Sequence, residues 1–321
     1  MNNPSILITG GCGFIGTNLI RALIQHKLSP ITIVDRKPKP GADYGAGKDT
    51  DLEFVQLDIR SPELASVLAH RQVNTVVHLA ALHYIPYCEQ HPEEAWEVNV
   101  RGTEAVLTAC ATHRVERFFM ASTAAVYKSS SSPHVEEDPL EAMDVYGRTK
   151  VANEQQVRAA AGAGEGCYAI GRLFNAVGAF ETNPHLIPEI IKRIQVSNRI
   201  EIGNTESRRD YIHVRDVCSG IIKIILGLDS KLEICNIGSG ESYSVKEVVE
   251  RLSGIIGRPL ELIPSERLQR RVDRPMLVAN NTRLREKYAW SPRYSFDEAL
   301  RDALDFGDGS RLKPTEQVLP T

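Results

Sequence analysis

The stretch SILITGGCGFIGTNLIRALI, residues 5–24, decides the fold. Residues 5–9 are a short aliphatic and β-branched run that ends in glycine, and from Phe14 onward apolar residues recur at helical spacing. The pattern predicts a buried strand, a tight turn and a helix. Gly10, Gly13 and Gly16 place a GxxGxxG turn at the junction, with Phe14 and Ile15 inside it. Backbone N–H groups of such a turn, backed by a helix N-terminus, can approach a pyrophosphate. A glycine-rich turn alone is also an ordinary tight turn. Asp35 favours the ligand reading, because it ends the next buried run (PITIVD, residues 30–35), nineteen residues after Gly16. A carboxylate there accepts hydrogen bonds from adenosine ribose hydroxyls and repels a 2′-phosphate, so NAD is expected over NADP. Arg36 and Lys37 oppose that preference, since either pairs with a phosphate. Asp58 closes the run LEFVQLD (52–58) and reads either as a partner of the adenine amino group or as a loop-facing carboxylate.

Further along, VNTVVHLAA (73–81), RFFMAST (117–123) and CYAIGRLFN (167–175) read as buried strands, and residues 92–113 and 145–161 as long helices. This alternation specifies a Rossmann-type α/β fold: a doubly wound parallel sheet with right-handed crossovers. After Asn175 the rhythm breaks, with helices expected at 186–195, 214–228 and 245–254 and short strands at 200–202 and 233–237. Residues 1–175 are therefore read as the dinucleotide-binding domain. Residues 176–321 are read as a smaller α/β substrate domain, segments of which are free to pack back onto the first. The 321 residues suffice for that, and 42% apolar with 25% charged residues excludes collagen-like, coiled-coil and largely disordered chains. Lys and Arg number 38 against 41 Asp and Glu, so no global field favours nucleic acid or an anionic membrane. The six cysteines form no CxxC pair, and no leader or apolar span stands out, so a reducing, cytoplasmic setting is expected.

Tyr146 and Lys150 lie at i and i+4 and so share one helix face. A nearby ammonium stabilises a phenolate, which is expected to lower the tyrosine from its ordinary value of about 10 toward neutrality. Tyr146 then serves as both base and acid. The spacing alone is common on helix surfaces. Thr123 strengthens it, standing at the carboxyl end of a parallel strand, where such sheets bind ligands. Its hydroxyl can reach the substrate oxygen that Tyr146 protonates, whereas the neighbouring Ser122 reads equally well as a backbone partner. His83, Cys88 and His91 lie on one irregular stretch whose spacing fails zinc-site patterns, so no metal is expected.

GGCGFIG, the strand end at Asp35, HLAA (78–81), MASTAAVY, YGRTK, RLFN and RRDYIHVRD occur in an order that resembles the extended short-chain dehydrogenase/reductase family, in its nucleotide-sugar epimerase/dehydratase branch. The likeness runs from about Ile6 to Leu304. It implies Thr123, Tyr146 and Lys150 as the catalytic set, and NAD held by the glycine turn, Asp35, Asp58, Ile59, Leu79, Ala80, Ala81, Asn99, Tyr146 and Lys150. It further implies Asn99 as a helix residue supporting the site. His83 stands where relatives place a polar residue near the nicotinamide ribose. Asn175 and Arg209 are implied diphosphate ligands, and Arg270 with Asp273 a grip on the diphosphate and nucleoside ribose. Arg271 competes with Arg270, and Arg208 with Arg209 reads also as a solvated pair. Leu277 falls where relatives use residue size to admit or block N-acetylated sugars.

The branch shares an opening oxidation of a sugar hydroxyl, after which reactions diverge. Dehydratases carry an Asp-Glu pair after the catalytic Thr and decarboxylases a Glu, where this chain has Ala124 and Ala125. Without a carboxyl group there, no second acid or base is placed for elimination. The resemblance therefore implies a 4-epimerase acting on a nucleotide-sugar, expected to be UDP-linked, in a homodimer joined through the helices at 92–113 and 145–161. A keto-sugar reductase or dehydratase of the same fold is the alternative reaction, and a non-catalytic NAD-binding regulator the alternative of another class.

Overall fold

The structure is a computed structural model and describes residues 4–38, 44–265 and 274–307. β1 (Ile6–Thr9) passes through the glycine turn into α1 (Phe14–Gln25), followed by β2 (Ile31–Asp35), β3 (Leu52–Gln56), α2 (Glu63–His70) and β4 (Thr75–His78). Then come α3 (Ile85–Gln90), α4 (Pro92–Trp96), a π-helical turn at Glu97–Arg101, α5 (Gly102–Thr112), β5 (Arg117–Thr123), α6 (Val145–Ala163) and β6 (Cys167–Leu173). The rest of the chain forms β7 (Asn175–Val177), α7 (Leu186–Ile194), β8 (Arg199–Ile202), β9 (Arg208–His213), α8 (Val214–Gly227) and β10 (Leu232–Ile237). It ends with β11 (Ser242–Ser244), α9 (Val245–Ile256), β12 (Glu261–Pro264), β13 (Met276–Leu277), α10 (Thr282–Tyr288) and α11 (Phe296–Gly307).

Seven parallel strands form the central sheet in the order β3-β2-β1-β4-β5-β6-β10. The order reverses between β1 and β4, and the parting of the chain there opens a crevice at the strands' carboxyl ends. β1, β2 and β4 are buried along their whole length, because helices cover both faces of the sheet. Leu19, Ile20 and Leu23 of α1 meet Ile221 and Ile224 of α8 on one face, and Leu64, Leu68, Val106 and Val157 of α2, α5 and α6 fill the other. A separate core joins Ile187 and Ile190 of α7 to Val248 and Leu252 of α9 and Leu300 of α11.

Two features differ from the sequence reading. The helix expected over 92–113 is broken by the π turn, which leaves the Asn99 carbonyl free to accept from Thr103 Oγ1 at 2.6 Å and Asn153 Nδ2 at 2.9 Å. The strand expected over 52–58 stops at Gln56, and Asp58 turns away to pair with Arg60 at 2.8 Å. α8 and β10 return to the first layer, α8 against α1 and β10 as the outer strand beyond β6. The RRDYIHVRD stretch forms β9, the middle of a small sheet with β7, β11 and β13, and continues into α8. Its acids serve as loop clamps: Asp210 accepts from Ser239, Gly240 and Ala279 backbone N–H groups, and Asp216 from those of Arg293 and Tyr294.

Candidate active site

A cavity of about 1670 Å³ runs along the carboxyl ends of the central strands and into the small sheet. Pockets for single drug-sized ligands measure roughly 300–1,000 Å³, so this space exceeds what one such ligand needs. Its floor is the glycine turn. Gly10 has φ +73°, and a Cβ there would stand 2.7 Å from Ala80 N, while a Cβ on Gly16 would stand 2.5 Å from the Gly10 carbonyl. Side chains at either place would close the turn, so its residues suit a pyrophosphate at the α1 N-terminus. Asp35 Oδ2 accepts from Cys12 N and Oδ1 from Lys37 N, both at 2.9 Å, which fixes the carboxylate at the edge of the turn. Gly13, Phe14, Ile15, Asp58, Ile59, Leu79, Ala80 and Ala81 line the same end. Asp58 spends much of its capacity on Arg60, whose guanidinium holds its carboxyl below the ordinary range.

Asn99 does not line the cavity. Its side chain is committed to Leu82, accepting from the N–H at 2.7 Å and donating to the carbonyl at 2.9 Å, and to Thr149 Oγ1 at 2.9 Å. It thus ties the loop after β4 to α6.

Thr123, Tyr146 and Lys150 converge on the middle of the cavity wall. Asp144 caps α6 by accepting from Gly147 N at 2.7 Å, which starts the helix one residue before Tyr146. Thr123 Oγ1 caps the following turn through Ala125 N at 3.1 Å, and its hydroxyl is shared with the Tyr146 phenol. Lys150 is buried and donates to the Ala121 carbonyl at 2.9 Å. Burial pushes the Lys150 ammonium down to about 8, against the opposing charge of Glu154. Burial pushes the Tyr146 phenol upward, with the Thr123 hydrogen bond working the other way. The expected fall of the tyrosine toward neutrality is therefore absent from these residues alone, because desolvation of the phenolate outweighs the stabilising contacts. Ala124 and Ala125 are buried in the wall beside them.

Toward the small sheet the cavity is lined by His83, Asn175, Arg209 and Leu277. Asn175 Nδ2 donates to the Asp210 carbonyl at 3.2 Å, and Arg209 Nη1 to the carbonyls of Arg208 and Arg274 at 2.8 Å. Leu277 is buried and pairs with Arg209 across β13 and β9. Arg270, Asp273 and the competing Arg271 lie outside the described residues. His83 meets His185 edge-on at 5.5 Å, and burial with the His185 charge holds it near 4, hence neutral. Cys88 is buried against the Leu82 carbonyl, and the His91 ring meets that of Tyr87 at 4.4 Å, tilted by 33°. Sequence reasoning missed Glu181, His185 and Arg274, all cavity residues. Glu181 is anchored by Asn183 and faces His185 Nδ1 at 3.4 Å, and Arg274 donates to the Ala125 carbonyl at 2.9 Å. The punctuated segment after Asn175 hinted at the first two; nothing local signalled Arg274.

A switch-point crevice in a parallel sheet, a glycine turn with an acidic strand end, and a Thr-Tyr-Lys cluster define a dinucleotide-using enzyme site of the extended short-chain dehydrogenase/reductase type. Comparison with known proteins is specific. Residues 6–238 match the model of the NAD dependent epimerase/dehydratase family. The chain is 31% identical over 319 residues to UDP-glucose 4-epimerase of Halalkalibacterium halodurans, covering 92% of this chain and 93% of that one. Two solved structures superpose closely. MoeE5 in complex with UDP-glucuronic acid and NAD gives a TM-score of 0.85 at 28% identity, over 95% of this chain and 99% of that one. UDP-glucose-4-epimerase from Stenotrophomonas maltophila, with bound NAD and formylated UDP-arabinopyranose, gives 0.86 at 27% identity, over 95% and 98%. The chain belongs to the NAD dependent epimerase/dehydratase family.

Proposed function

We propose that the protein is an NAD-dependent 4-epimerase of UDP-linked sugars, working through a transient 4-keto-sugar with Tyr146 as acid and base. Bound NAD would supply the hydride acceptor and then the donor at the sugar C4, and its nicotinamide cation would add to the positive field of Lys150 at Tyr146. Tyr146 takes the O4 proton as the C4–H bond breaks, and returns it when hydride comes back to the opposite face. Thr123 holds the same oxygen through its hydroxyl. Lys150, charged below pH 8, favours the phenolate.

The observation that carries this reading is the Thr123–Tyr146–Lys150 cluster beside a wall built from Ala124 and Ala125. Three cavity carboxylates support it, because each is already engaged: Glu89 accepts from Val145 N, Asp144 caps α6, and Glu181 is tied to Asn183 and His185. The 31% identical relative named UDP-glucose 4-epimerase, and the solved neighbours holding NAD and UDP-sugars, support the same choice. The test is NMR of products from a UDP-hexose deuterated at C4. The C4 epimer should appear with deuterium retained at C4 and no solvent exchange at C5. A 4-keto-6-deoxy sugar, released carbon dioxide from a uronic acid, or deuterium lost to free cofactor overturns the proposal.

The same reading includes a homodimer. Exposed Trp96 on α4 favours an apolar contact along the helices at 92–113 and 145–161, and a monomer by light scattering at micromolar concentration refutes it. All six cysteines are free and no described helix is long and apolar enough to cross a membrane, which favours a reducing, cytoplasmic setting.

A further inference from the structure

Three consecutive residues at the end of β5 grip α6. The Thr123 hydroxyl meets the Tyr146 phenol, the Ala121 carbonyl accepts from Lys150, and Ser122 Oγ donates to Glu154 Oε1 at 2.7 Å. Tyr146, Lys150 and Glu154 follow one another at four-residue steps, hence along one stripe of the helix. Ser122 is thus occupied by Glu154, where the sequence left it as a backbone partner. Glu154 is 1% exposed, and Arg172 of β6, also 1% exposed, forks onto it with Nε to Oε1 at 2.9 Å and Nη2 to Oε2 at 2.7 Å. Arg172 is held in turn by Tyr127 Oη at 3.0 Å and the Glu136 carbonyl at 2.8 Å.

The proposed chemistry leaves this pair unassigned, and stability is a weak reason for it. Desolvation offsets most of the attraction in a buried ion pair, and well-packed apolar replacements are often as stable. Its place suggests another use. The titratable groups on the elements around Lys150 are Tyr146 and Glu154 along its own helix stripe, His78 on β4 and His83 just beyond β4, and Glu154 is itself faced by Arg172 and, at 3.8 Å, by Arg158. Burial holds both histidines neutral, at about 3 and about 4, so among the described residues Glu154 is the anion that acts on Lys150.

We propose that Glu154, held rigid by Arg172 and Ser122, is a positioning residue that keeps Lys150 seated at the Ala121 carbonyl as a cation beside Tyr146. This rests on the reading of Thr123, Tyr146 and Lys150 as the catalytic set. Glu154→Gln keeps the shape and removes the charge. Rates of UDP-hexose epimerisation from about pH 6 to about pH 10 are the readout. Wild type should lose activity on the alkaline side near pH 8, as Lys150 gives up its proton. In Glu154→Gln that limb should move to lower pH, with kcat near pH 8 falling roughly tenfold or more and KM changing little. Glu154→Asp, which restores the charge, should return the limb toward its wild-type place. A Glu154→Gln profile parallel to wild type and merely scaled down overturns the inference.

If Arg172 left alone prevents folding, Glu154→Gln combined with Arg172→Met removes both charges, and a parallel profile there overturns it equally. Urea unfolding gives a readout independent of turnover. The rise of stability with pH that accompanies release of the Lys150 proton should begin at lower pH in Glu154→Gln, and an unchanged onset counts against the inference. Tyr146→Phe is assayed alongside. Full turnover in Tyr146→Phe defeats the reading of the site, whereas an inactive Tyr146→Phe with an unmoved Glu154→Gln limb defeats this inference alone.

Discussion

Replacing Lys150 by Met should abolish turnover and make the protein more stable. Lys150 is 2% exposed, and its ammonium is lowered from 10.5 to about 8 chiefly by burial. At about 1.36 kcal/mol per pH unit, holding that proton in the folded state below pH 8 costs about 3 kcal/mol relative to the unfolded chain. Methionine keeps an unbranched stem of similar length in the same space. It forfeits the bond to the Ala121 carbonyl, which leaves a buried acceptor at a cost of roughly 1 kcal/mol. The net gain is about 2 kcal/mol at neutral pH, or a few degrees in Tm for a chain of this size. It has a definite pH window. Between pH 8 and 10.5 the unfolded wild type binds a proton that the folded wild type has released, so wild-type stability rises with pH there and the advantage of Lys150→Met shrinks. Urea unfolding of both proteins at neutral pH and again near pH 10 measures this directly. A Lys150→Met variant less stable than wild type at pH 7, or a gain that stays constant with pH, refutes the assignment of Lys150 as an ammonium held against desolvation.

Tyr146→Phe should reduce kcat by roughly 10²–10⁴-fold, the usual contribution of a placed acid/base, with NAD binding by calorimetry unchanged; a loss of only a few-fold removes Tyr146 from the catalytic role. Gly10→Ala should abolish NAD binding and lower stability by about 1–3 kcal/mol, because φ is +73° and the added methyl meets the Ala80 backbone at 2.7 Å; normal binding by this variant in calorimetry contradicts the placement of the pyrophosphate at this turn.

Those parts of the fold set by neighbours in sequence were legible in it. β1, the glycine turn and α1 follow from a run of aliphatics, three glycines and a helical period, all within twenty residues. Tyr146 and Lys150 share a face because helical spacing alone puts them there. Features made by distant partners were not legible. Asn99 meets Leu82 and Thr149, Arg274 reaches the Ala125 carbonyl across 149 residues, and Arg172 joins Glu154 across 18. No local pattern encodes such pairings. The π turn escaped for a related reason: the apolar period of residues 92–113 is continuous, and the break comes from hydrogen bonds that Asn99 makes to other elements. The strands of the small sheet, two to six residues long, are too short for a period of two to register.

The return of α8 and β10 to the central sheet makes the two units one in unfolding. A fragment ending at Asn175 would keep the glycine turn and every residue proposed for catalysis, yet β6 would become an unpaired edge. α1 would lose the cover of α8, baring Leu19, Ile20 and Leu23. The second unit leaves the first layer after β6, re-enters it for α8 and β10, leaves again, and returns once more where α10 packs on α8 and β10. It is therefore a set of excursions from a single body, and exchanging it between relatives means cutting on both sides of residues 214–237, and of α10, so that these segments stay with the sheet they complete.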